Sequence, residues 1–134
     1  MRKLTPQNLH DDLNEIYEQS SLVEAQAGAL QEVVDEVHST AVRNWGVDDQ
    51  HLHRDLLLLH EEVSEAARTD REGLDKTALY RSEEGKLEGM GAELADIIIR
   101  CCSVAGAHRV PLVEALVLKM AQNARRGREP GKGY

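Results

Sequence analysis

Phenylalanine is absent from this chain of 134 residues, and one tryptophan and three tyrosines are its only aromatic residues. An aromatic-rich β-sandwich core is therefore not expected. The interior has to be assembled from Leu, Val, Ile and Ala, which suits helix packing. Cysteine is equally scarce: Cys101 and Cys102 are the only two, and they are adjacent. Neighbours on a helix point about 100° apart, so a bridge between them would be strained. No disulfide framework or cysteine-based metal site can be read, and both thiols are expected to be small core or half-buried residues in a reducing cytoplasm. No apolar run approaches the length of a membrane span, and the opening stretch MRKLTPQNLH has no signal-peptide character. A soluble cytoplasmic protein without a membrane partner is the expectation. Positive charge is also short: 16 Lys and Arg face 24 Asp and Glu, for a net charge of −8. That balance argues against a nucleic-acid polymer as partner, while a small phosphorylated ligand needs only local positive charge or a metal.

What remains is rich in helical signals. Thr5–Pro6 reads as an N-cap with proline at the first helical position, opening a helix to about Gln19. Ser21-Leu-Val-Glu24 has the capping-box pattern. Behind it Leu30, Val33, Val34, Val37 and Ala41 recur at helical spacing as far as Trp45–Gly46. Asp48 or Asp49 is the expected cap of a third helix, about residues 49–69. Residues 70–87 are polar with two glycines and read as a long loop with at most a turn of helix, a length more often functional than accidental. A helix over about 88–107 follows, and Pro111 opens a last one to about Arg126. No stretch of convincing length alternates with period two, so the fold class is all-α, a helical bundle of domain size.

The segment HEEVSEA, residues 60–66, sets glutamates directly after the apolar run Leu56–Leu59. Glu62 and Glu65 are three apart and share one helical face. Glu93 and Asp96 repeat that spacing amid Leu94, Ala95 and Ile97–Ile99 on the next long helix. Two antiparallel helices would aim these four carboxylates at one point, where burial without cations is prohibitively costly. Oxygen ligands without Cys and with little His select a hard ion, Mg²⁺ or Mn²⁺. The bland alternative is a set of surface carboxylates paired with Arg68 or Arg100. On the last helix Lys119, Asn123 and Arg126 stand at i, i+4, i+7 and form one stripe. Such a stripe clamps a polyphosphate, or is a solvated basic helix end favoured by the dipole.

Glu62-Val-Ser-Glu65, then 27 residues, then Glu93-Leu-Ala-Asp96 resembles the E-x-x-E…E-x-x-D signature of the MazG-like all-α nucleoside triphosphate pyrophosphohydrolases. The stretches LLLLHEEVSEA, EGMGAELADIIIR and LKMAQNARR are similar to that family in the same order, from about Leu30 onward. The resemblance implies a four-helix bundle-like core over residues 29–134 within one compact domain. Residues 1–28 are then a helical extension whose Leu9, Leu13, Ile16 and Tyr17 form a covering apolar stripe. It implies a homodimer or homotetramer that hydrolyses a (deoxy)nucleoside triphosphate to the monophosphate and pyrophosphate. Glu62, Glu65, Glu93 and Asp96 would bind Mg²⁺, and a metal-activated water would attack the α-phosphate, with Glu62 or Glu61 as the base. Lys119, Asn123 and Arg126 match phosphate-holding positions, joined by Arg100 and by Lys132 in the tail. His38 and Trp45 match base-pocket positions.

Two other readings fit parts of the chain. A non-catalytic acidic adaptor would turn its carboxylates to solvent and leave apolar stripes uncovered. A di-iron carboxylate bundle needs Glu-x-x-His on two helices, and only Asp35-Glu-Val-His38 approaches that spacing.

Overall fold

The structure, a computed structural model, describes residues 4–19 and 24–126. The described residues contain five helices: α1 (Pro6–Gln19), α2 (Glu24–Trp45), α3 (Leu52–Arg71), α4 (Met90–His108) and α5 (Leu112–Arg126). Between α3 and α4 lies an antiparallel hairpin of β1 (Tyr80–Arg81) and β2 (Leu87–Glu88). The all-α class expected from composition holds. None of the described helices is long and apolar enough to cross a membrane. The chain forms two units. One contains α1, α2 as far as Val33, and α5; the other runs from Val34 to Val110.

Where the described residues include them, the cap signals of the sequence are followed with one exception. Thr5 caps α1, its Oγ1 accepting the Asn8 N–H at 3.2 Å. Gly46, at φ 62°, follows the last residue of α2 and donates its N–H to the Val42 carbonyl at 3.0 Å. Ser21 of the capping box lies outside the described residues. The exception is α3, which starts at Leu52 behind His51, without a side-chain cap. Asp48 does not cap it. Its Oδ1 accepts the Gln50 N–H at 2.9 Å and meets His51 Nδ1 at 3.0 Å, closing a turn one step ahead of the helix. Those hydrogen bonds, the backbone one foremost, hold the Asp48 carboxyl below its ordinary range.

Residues 70–87 are mostly turn and loop as expected, but they also carry a short hairpin that their polarity does not suggest. Tyr80 pairs with Glu88 and Arg81 with Leu87. The turn is closed by Ser82 donating to the Lys86 carbonyl at 3.0 Å and Gly85 to the Ser82 carbonyl at 2.9 Å. Two-residue strands are too short to carry an alternating pattern, which is why the sequence does not betray them. Gly89 joins the hairpin to α4 at φ 101°. A Cβ there would lie 2.9 Å from the Tyr80 ring and 3.2 Å from the Ala78 carbonyl oxygen, so the close approach requires glycine.

Packing differs between the units. In the first, α1 lies against α5. Ile16, Val113 and Val117 are buried, while Leu9, Leu13 and Tyr17 are half-buried along the α1 stripe. In the second, α3 packs on α4, and five of the seven buried apolar residues are alanines: Ala41, Ala66, Ala92, Ala105 and Ala107, beside Val34 and Cys102. Small buried side chains of this kind let helix backbones approach closely. The same geometry shows at Gly106, where the His38 ring of α2 occupies the space that a methyl group would need.

Two of the helical glycines, Gly28 and Gly106, should therefore respond in opposite directions to alanine. Gly106→Ala forces His38 aside and should destabilise by about 1–3 kcal/mol, less any gain in helix propensity. Gly28→Ala meets nothing within 4 Å on α2 and should stabilise by about 0.5–1 kcal/mol. Urea unfolding of the two variants, compared at constant slope, measures both.

Candidate metal centre

The packing of α3 on α4 brings the two acidic pairs together. One carboxylate oxygen each from Glu62, Glu93 and Asp96 lie within 4.8 Å of one another. Glu65 stands outside that triple but close enough to act on it electrostatically. The Glu93 carboxyl is pushed above its ordinary range, first by burial and then by the negative charges of Glu65, Asp96 and Glu62, with Lys86 of the hairpin opposing them. Lys86 is a cation of this neighbourhood that sequence spacing could not reveal, because only the hairpin carries it there.

Arg100 follows Asp96 by one turn, yet it does not serve that neighbour. Its Nε donates to Glu62 Oε1 across the helix pair at 2.9 Å, and the Glu62 side chain is only 15% exposed. A charge-assisted bond of this length orients Glu62 and offsets one of the clustered charges. Glu65 has only a loose contact with Arg68 at 3.7 Å, both side chains being well exposed. Surface pairing of this kind contributes little. The bland alternative of carboxylates paired with Arg68 or Arg100 thus describes Glu65 and Glu62, while Glu93 and Asp96 form no ion pair with either arginine. Glu61 is exposed and lies outside the three-carboxylate group.

The chain matches no protein-family model, no curated protein and no solved structure. Chemistry therefore has to be read from the donor set. Three converging carboxylates, one of them disfavoured as an anion, make a concentrated negative site of a kind that could hold a cation. Histidine takes no part in the group, which removes the ligand that a di-iron site would need.

The other site candidates are divided between the two units. Lys119 and Asn123 are exposed on α5, with Lys119 Nζ donating to Gln122 Oε1 at 3.1 Å. Arg126 closes the same helix. Lys132 falls outside the described residues. The two base-pocket candidates are not brought together. Trp45 lines a cavity of about 310 Å³ that Arg100 also lines. His38 is not among its lining residues; it packs on Gly106, with a buried Nδ1 that has no hydrogen-bond partner.

One pair was invisible in the sequence. His108 Nε2, near the end of α4, lies 2.9 Å from Asp55 Oδ2 in the first turn of α3, and both side chains are about nine-tenths buried. Asp55 alone reads as an acid favourably placed near a helix N-terminus and His108 as a base near a C-terminus. A separation of 53 residues hides their contact.

The raised Glu93 carboxyl fixes a pH response. Its neutral form favours the fold, so that contribution is full below the unfolded glutamate range and is lost as pH rises through the folded value. Glu93→Gln, neutral at every pH, should raise the melting temperature of chelator-treated protein at pH 7. The gain should vanish near pH 4. A lower melting temperature at pH 7 would mean that the Glu93 charge is structurally required.

Proposed function

We propose that this chain is a cytoplasmic, magnesium-dependent pyrophosphohydrolase acting on a (deoxy)nucleoside triphosphate, releasing the monophosphate and pyrophosphate. The observation that carries the reading is the meeting of Glu62, Glu93 and Asp96 across α3 and α4. Their spacing also carries the resemblance to the MazG-like family. The donor set fits Mg²⁺: all ligands are oxygen, and the cluster is charged beyond what Arg100 offsets. Glu62, Glu93 and Asp96 would hold the ion, with Glu65 as the fourth carboxylate. Mg²⁺, when bound there, supplies the positive charge that polarises the α-phosphate and makes a water acidic.

The chain's own groups divide the remaining work. Arg100 holds Glu62 through one oxygen, which leaves the other to bind the ion or to accept the proton of the attacking water. Glu61, exposed one residue earlier, is the alternative proton acceptor. The family resemblance assigns phosphate contacts to Lys119, Asn123 and Arg126, whose charges and amide suit pyrophosphate.

The adaptor reading also has an observation in its favour. Leu52, Leu56 and Val63 form an uncovered stripe on α3, as do Leu94 and Ile98 on α4. The apolar residues that neighbour the carboxylates in sequence are thus only partly covered. Clustered, half-buried carboxylates do not suit an adaptor, however, whereas uncovered leucine stripes suit the homo-oligomer that the family implies. Sedimentation should find a dimer or tetramer, and Ile98→Glu should shift it toward monomer.

Pyrophosphate release, assayed with Mg²⁺ across a nucleotide panel, tests the activity. Glu62→Gln should lower turnover by at least about 10²-fold with the helical circular dichroism unchanged. Lys119→Ala should raise KM more than it lowers kcat. No turnover of any nucleotide, with none bound in the presence of metal, would leave the adaptor standing.

A further inference from the structure

Asp55 takes no part in the chemistry proposed above, yet it is among the most unusual side chains of the fold. The buried polar or charged residues among those described are Asp55, Thr69 and Ser103, and two of the three line the same cavity. That cavity, of about 310 Å³, lies at the small end of ligand pockets, which run from about 300 to 1,000 Å³. It has room for a flat ring more readily than for a whole nucleotide. Trp45, Val47, Leu58 and Val104 give it apolar walls, and Trp45 remains 67% exposed, with ring surface available for stacking.

The Asp55 carboxylate is held in place. His108 takes Oδ2 at 2.9 Å, and Arg54 approaches Oδ1 at 3.4 Å, near the limit of a hydrogen bond. An ionised carboxylate has about four acceptor positions, so these two contacts leave capacity unused. Arg100 lines the cavity while donating to Glu62, and so joins it to the carboxylate cluster.

We propose that this cavity receives the nucleobase and that Asp55, oriented by His108, selects bases bearing an exocyclic amino group over uracil and thymine. The proposal rests on the pyrophosphohydrolase reading for its premise that the ligand is a nucleotide. The selectivity follows from hydrogen-bond polarity. An amino group donates to the carboxylate, whereas the carbonyl oxygen that uracil and thymine carry in its place sets acceptor against acceptor beside a buried carboxylate. Leaving such buried groups unpaired is what makes a polar pocket discriminate.

Trp45 is the only tryptophan, so its fluorescence reports cavity occupancy without any turnover. The full-length chain is titrated with dCMP, dAMP, dGMP, dUMP and dTMP. We expect dCMP to bind at least about ten-fold more tightly than dUMP, which differs at the amino position. In Asp55→Asn, whose amide both donates and accepts, that ratio should fall to within about two-fold. Equal affinities in the wild type, an unchanged ratio in Asp55→Asn, or no response to any of the five overturns the assignment. Circular dichroism establishes whether the variant folds; if it does not, the wild-type ratio decides alone. Pyrophosphate release from dCTP is measured separately. Selective quenching without turnover would sink the catalytic reading and keep the pocket. Turnover without discrimination would do the reverse.

Discussion

The contact between α3 and α4 forces like charges together, and the character of the second unit depends on it. Both helices bury alanines, Ala66 on α3 and Ala92, Ala105 and Ala107 on α4, which cost little side-chain entropy and leave room for close approach. Close approach in turn brings Glu62 and Glu65 of one helix to Glu93 and Asp96 of the other. Glu93, partly buried there and then facing those charges, is a carboxyl that resists ionisation. Folding tolerates the arrangement because Arg100 crosses from α4 to Glu62 and Lys86 reaches the neighbourhood from the hairpin. A cluster of this kind is electrostatically poor as a structural device and well suited to holding a cation.

Other features of the unit keep that contact in register. The hairpin closes onto the start of α4 through Gly89, where any side chain would collide with Tyr80 and the Ala78 carbonyl. Asp55 and His108 tie the opening turn of α3 to the closing turn of α4. A buried, hydrogen-bonded pair joining opposite termini fixes both the antiparallel sense and the sliding position of the two helices. Arg100 then has two surroundings at once, the carboxylates and the cavity beside them. A ligand in that cavity would be sensed by the residue that orients Glu62.

The fold class and helix count were legible because they rest on local physics: periodic apolar residues, Thr5–Pro6, Gly46 and the Pro111 boundary. The acidic pairs were legible as faces, since i, i+3 spacing sets a face without reference to the rest of the chain. The hairpin was not, because two-residue strands have no period. Asp55 with His108 was not, because neither residue carries a local mark of its distant partner. The leucine run before HEEVSEA was legible as apolar, but its covering was not: Leu56 and Leu57 remain exposed while Leu58 and Leu59 are half-buried.

By itself, then, the sequence determined that the chain is helical and that its carboxylates come in pairs on two helical faces. Only the tertiary structure decided that three of these carboxylates converge, that Arg100 serves Glu62 rather than Asp96, and that Asp55 lines a cavity. The reason is range. Propensity and periodicity act within a few turns of helix. Distances between charges on different helices are set by how close the backbones come, and that is settled only once the helices are packed.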